Sequence, residues 1–196
     1  MSSRRVAVGV LAVIACVWLA GCTFAQDRAA STSESGVDAV QTARETQGAP
    51  PPGLSAVVTR VVDGDTIIVQ VQEQTETVRL LGIDTPEKAG GPRPAECFGA
   101  DASARLAELL PPQSEILLSR DQESRDQYSR LLAFVHRADD GLFINLTMIE
   151  EGYATPLFFA PNRAAEHQFV AAGDAARRNW IGFWPACGAA DVVVHD

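Results

Sequence analysis

Three apolar runs, "SAVVTRVV" (residues 55–62), "TIIVQV" (66–71) and "TVRLLGI" (77–83), follow one another almost without a gap. Each is short, rich in β-branched side chains and bounded by turn residues, so the stretch reads as three strands of a meander. The rest of the chain has to fold around that sheet. "SEILLSR" (114–120) and "RLLAFVHR" (130–137) add two more strands of the same kind.

Helical spacing appears only between and after these runs. "GADASARLAELL" (99–110) places Ala104, Leu106, Ala107 and Leu110 at helical spacing, and Pro111 with Pro112 stops it. "INLTMIEEGY" (144–153) and "APNRAAEHQFVAAGDAARRN" (160–179) read as two further helices, with Trp180 and Trp184 expected to pack the last one down. Strands first and helices later predict an α+β fold, a five-stranded OB-type β-barrel with three packed helices.

The first turn of the meander, inside "RVVDGDTIIV" (60–69), carries both Asp63 and Asp65. Asp-Gly makes a hairpin by itself, so this turn alone has a purely structural explanation. The next strand, however, runs into "RLLGIDTPE" (79–87), with Arg79, Asp84, Thr85 and Glu87. If the second and third strands are hairpin partners, Asp65 and Asp84 meet near one barrel opening and repel each other. A hard divalent cation relieves that repulsion, and carboxylates with a backbone carbonyl suit calcium.

The amino terminus has a different character. Residues 1–22, "MSSRRVAVGVLAVIACVWLAGC", have a basic start, an apolar run and small residues before a cysteine, as in a secretory signal. "LAGC" resembles the lipobox of bacterial lipoproteins, which implies lipidation of Cys22 and a membrane-anchored, extracytoplasmic protein. An ordinary cleaved signal and an uncleaved anchor helix are the alternatives. Residues 23–53 read as a flexible tether rich in Ser, Thr and Pro, 54–188 as the barrel domain and 189–196 as a tail.

Export would leave Cys97 and Cys187 as the thiols of an oxidising compartment, where they are expected to pair; two separate buried thiols are the other reading. Without Arg4 and Arg5 the 16 basic residues fall to 14 against 25 acidic, a net of about −11. Nucleic acid would then have to be held at a local cluster rather than by the whole surface. His136, His167 and His195 show no metal-ligand spacing.

"VVDGDTIIV", "VRLLGIDTPE", "DQYSRLLAFV" and "NRAAEHQFVAAGDAARRNWIGFW" resemble, in this order, the blocks of the staphylococcal nuclease family. The resemblance runs from about residue 54 to 184 and implies a calcium-dependent endonuclease that cleaves DNA and RNA to 3′-phosphate products; a monomer is the separate expectation for its assembly. It implies Asp65, Asp84 and the Thr85 carbonyl as calcium ligands, with Asp63 beside the metal. Glu87 would be the general base or the group that orients water. Arg79 and Arg130 would grip the scissile phosphate, Tyr128 would hold a terminal phosphate, and Phe158 or its neighbour Phe159 would stack on a base.

Departures from the family's pattern are Gln127 in place of a basic residue, Ser129 in place of glycine, and the two cysteines. A catalytically inactive nuclease-like barrel binding nucleic acid or protein at the cell surface remains the alternative function. A lipoprotein that holds calcium for stability alone is a further one.

Overall fold

The computed structural model describes residues 53–91 and 93–188. The expected signal with Cys22, residues 23–52 of the tether, and the tail with His195 lie outside them. Strand β1 (Leu54–Val61) pairs antiparallel with β2 (Thr66–Val71), and β2 with β3 (Gln74–Leu80), which is the predicted meander. The third strand ends at Leu80 instead of running on to Ile83, because Gly82, at φ 75°, turns the chain. A Cβ there would lie 2.7 Å from the Phe158 ring, so only glycine serves both the turn and the packing.

After the turn, β4 (Ile83–Asp84) pairs with β7 (Thr155–Pro156) as a separate two-stranded sheet. Strands β5 (Glu115–Ser119) and β6 (Leu131–Arg137) complete the barrel in the order β1-β2-β3-β6-β5, with β5 returning to β1. The β3–β6 pair is parallel. Alternate residues fill the interior: Ala56 and Val58, Ile67 and Val69, Val78 and Leu80, Ile116 and Leu118, Ala133 and Val135 are all buried. The fold is the α+β, OB-type barrel expected.

Helix α1 (Gly99–Leu109) buries Gly99, Ala102, Leu106 and Leu109, one face at helical spacing, whereas Ala104 and Ala107 of the expected set lie off that face and are exposed. Helices α2 (Ile144–Glu150) and α3 (Glu166–Arg178) pack against each other, and α2 is fixed to the barrel through Asn145. That side chain is fully buried, accepting from the Val135 amide at 2.8 Å and donating to the carbonyls of Leu81 and Ala133 at 2.9 and 3.3 Å. Asn145 is therefore a structural tie between α2 and the barrel.

A five-residue helix, α4 (Phe183–Cys187), follows, which no periodicity in so short a segment announces. Its Cys187 is bonded to Cys97, S–S 2.03 Å, so the pairing expected from sequence is present. One packing expectation is corrected: Trp180 does not press α3 onto the barrel but is 60% exposed, and only Trp184 meets the core residue Phe183, ring centroids 4.8 Å apart.

Candidate active site

The two aspartates of the first turn have separate tasks. Asp63 builds the turn: its Oδ1 accepts the Asp65 amide at 3.1 Å, while the Val62 amide donates to the Thr66 carbonyl at 2.8 Å. Asp65 is buried, and its Oδ1 and Oδ2 accept from the hydroxyls of Thr66 at 2.9 Å and Thr85 at 3.3 Å. Gly64 between them lets the loop after β4 dock, since a Cβ there would lie 2.5 Å from Thr85 Oγ1. The backbone completes the junction, with the Leu80 amide donating to the Asp65 carbonyl at 2.8 Å.

Register then brings in the cation. Arg79 on β3 sits opposite Thr66 on β2, one residue from Asp65. Its Nη1 donates to the carbonyls of Leu80 and Ile83, both at 2.8 Å, which fixes the plane of the guanidinium. Its Nη2 lies 3.0 Å from Asp65 Oδ2 and 3.3 Å from Asp84 Oδ1. Asp65 and Asp84 thus converge as predicted, and one shared guanidinium nitrogen relieves part of their repulsion. Beside this pair, burial, and then the charge of Asp65, push the Asp63 carboxyl up to about 6.

A hard cation fits a place where two carboxylates converge on one guanidinium nitrogen. The donors that converge are carboxylates and hydroxyls, with neither thiolate nor imidazole among them, which suits calcium or magnesium and not zinc. Among the described residues no group of three or more acidic, histidine or cysteine side chains forms a ready-made cage. Asp65 and Asp84 would therefore hold an ion whose other ligands come from backbone, water or substrate.

These groups line a cleft of about 980 Å³, together with Glu87, Tyr128, Arg130 and Phe159. Arg130 is set by Asp126, whose Oδ2 accepts from Nε at 2.6 Å and whose Oδ1 accepts the Arg130 and Tyr128 amides, both at 2.9 Å. Burial alone would raise the Asp126 carboxyl, but the bonds from Arg130 and Tyr128 together hold it below its ordinary value. Tyr128 is 71% exposed, with the Arg130 guanidinium 5.5 Å from its ring centroid. Ser129 between them adopts φ 66°, the left-handed conformation that glycine at this place in the family pattern takes freely.

Glu87 stands at the other side of the cleft. Its carboxylate is paired with Arg93 of the following loop, and its amide donates to Glu96 Oε2 at 2.9 Å. The aromatic expectation needs correcting: Phe158 does not line the cleft. It packs on Phe169 of α3, ring centroids 5.7 Å apart, over the space that Gly82 leaves open. Neighbouring side chains on extended chain point opposite ways, and it is Phe159, 64% exposed, that reaches the cleft.

Sequence reasoning missed Asp126, Arg93 and Glu96. Asp126 left a signal, an aspartate opening a turn four residues before an arginine. Arg93 and Glu96 left none, because their partner is set by the path of a loop.

A family model described as "Staphylococcal nuclease homologue" matches residues 77–186. The thermonuclease of Staphylococcus intermedius is 36% identical over 132 residues, covering 67% of this chain and 77% of that protein. The thermonuclease of Staphylococcus hyicus is 32% identical over 127 residues, 65% of this chain and 73% of that protein. The SPbeta prophage-derived endonuclease YokF of Bacillus subtilis (strain 168) is 35% identical over 140 residues, 69% of this chain and 45% of that longer protein. With the barrel, the acidic pair and the two arginines in place, the chain is a member of the staphylococcal nuclease family.

Proposed function

We propose that this family member is a calcium-dependent endonuclease that hydrolyses the phosphodiester bonds of DNA and RNA to 3′-phosphate products, working as a monomer outside the cytoplasm and lipid-anchored through Cys22. The observation that carries the reading is the double contact of Arg79 Nη2 with Asp65 and Asp84, at 3.0 and 3.3 Å, on the wall of an open cleft. Acidic pair and guanidinium together make a site for a phosphate and a cation at once.

Hydrolysis adds an oxygen nucleophile to a group that is already negative, so positive charge has to meet the charge that grows on the phosphoryl oxygens. Bound calcium would supply part of it beside Asp65 and Asp84. Arg79 supplies more, since a phosphate entering the cleft competes with the two carboxylates for Nη2. Arg130, turned by Asp126, presents a second guanidinium; a planar fork can donate to two phosphate oxygens and stays charged at any working pH. Glu87 accepts a proton from the attacking water or orients it, and Arg93 must give way or share that carboxylate. Tyr128 and Phe159 on the rim offer a hydroxyl and a ring to the flanking nucleotides.

The test is digestion of single-stranded DNA and of RNA by the purified chain, with calcium and then with a chelator. Cleavage that the chelator stops, leaving 3′-phosphate ends, is expected. Binding without cleavage over a range of calcium concentrations and alkaline pH would overturn the reading in favour of an inactive binding barrel.

A further inference from the structure

The end of α3 is built in an unusual way. The Trp180 amide donates to the Arg177 carbonyl at 3.2 Å and the Ile181 amide to the Ala176 carbonyl at 3.1 Å, the pair of bonds that closes a helix through one left-handed residue. Glycine or asparagine normally takes that left-handed place. Here it is Trp180, at φ 52° and 60% exposed. A large aromatic ring is thus held in water at a position where its backbone is strained, and packing does not account for it.

Its surroundings are cationic. Arg177, Arg178, Trp180 and Trp184 line a hollow of about 270 Å³, separate from the cleft. The Arg177 guanidinium lies 5.4 Å from the Trp184 ring centroid. Most of the described arginines are paired with carboxylates, but among the described residues neither Arg177 nor Arg178 has a carboxylate within ion-pair distance, on a chain with net charge −9. Arginines in a last helical turn also meet the negative end of the helix dipole. That explains the two cations and leaves the exposed ring unexplained.

We propose that this junction of α3 and α4 is an exosite for single-stranded nucleic acid, in which a base stacks on Trp180 while Arg177 and Arg178 meet the adjoining phosphates. The combination of π-face and guanidinium is what sequence-tolerant binding of single strands uses. The inference rests on the nuclease reading of the cleft, and it adds that the preferred substrate is a polymer long enough to reach both places. Helix α3 begins just beyond Phe159 and Asn162 on the cleft rim, and its 13 residues span roughly 20 Å to the hollow.

The variant Trp180→Gly separates this role from folding, because glycine suits the left-handed place. Its melting temperature is expected to equal or exceed that of the unaltered chain. Hydrolysis of a dinucleotide diester should be unchanged, while KM for a single strand of about 20 nucleotides rises about five- to tenfold at constant kcat, as does KM in Arg178→Ala. In chelator, where no cleavage is expected, the same oligonucleotide should quench tryptophan fluorescence of the full chain and quench it much less in Trp180→Gly.

An unchanged KM together with equal quenching would overturn the exosite. So would a fluorescence response to vesicles containing phosphatidylserine but none to the oligonucleotide, which would make the patch a lipid contact. Failure to cut either substrate would refute the reading of the cleft alone, since the quenching titration needs no cleavage.

Discussion

Arg79 holds two carbonyls and two carboxylates with one guanidinium, so its loss acts on folding and on chemistry together. In Arg79→Ala the buried Asp65 and Asp84 face each other without their cation. A loss of about 3 kcal/mol in a denaturant melt is expected. The rate of single-stranded DNA digestion should fall about 10²- to 10³-fold, as when one preorganised donor to a developing anion is removed. Arg79→Lys keeps the charge and loses the fork, so it should recover more of the stability than of the rate. Ser129 poses the opposite case. Its left-handed backbone is strained for any residue with a Cβ, and Ser129→Gly is expected to raise stability by about 1 kcal/mol in the same melt.

Among the elements, the strands that build the site were the most legible. The β-branched runs predicted the meander, and hairpin pairing of β2 with β3 sets Arg79 beside Asp65, while Asp84 reaches them through the turn at Gly82 and the pairing of β4 with β7. Where the sequence misled, the cause was an interaction between distant segments. Phe158 and Phe159 are chemically identical, and which one faces the cleft depends on Phe169 and on the space over Gly82. Trp180 carries the same apolar signal as Trp184, yet the helix closure turns it outward.

The turn from β6 to α2 gives an element-scale test by pH. The Arg137 guanidinium, more than the Leu142 amide, holds the Asp140 carboxyl down at about 2 against the opposing effect of burial. A carboxyl depressed in the folded state stabilises above its unfolded pKa, and that contribution is lost as pH falls through the folded value. The wild type should therefore exceed Asp140→Asn in melting temperature at about pH 6, with the difference shrinking between about pH 4 and 2. A difference that stays constant across that interval would show that Asp140 acts through its shape and not its charge.

At the scale of the whole molecule, the Cys97–Cys187 bond ties α4 to the segment leading into α1, across 90 residues of sequence. That segment also carries Glu96, whose amide donates to the Glu87 carbonyl at 2.8 Å, so the bond braces the far wall of the cleft. Replacing both cysteines by serine should cost about 4 kcal/mol of stability, the value expected from closing a loop of that length in the unfolded chain. Digestion should fall as well, because the Glu87 loop loses its brace.

The effects on digestion presuppose that the acidic pair works with a cation in a single hydrolytic centre. The most direct check is a calcium titration of single-stranded DNA digestion by the wild type and by Asp84→Asn. Digestion that requires calcium, with a half-activating concentration shifted at least about tenfold upward in the variant, is the expected result. Digestion that persists in chelator, or the same calcium dependence in both proteins, would contradict it.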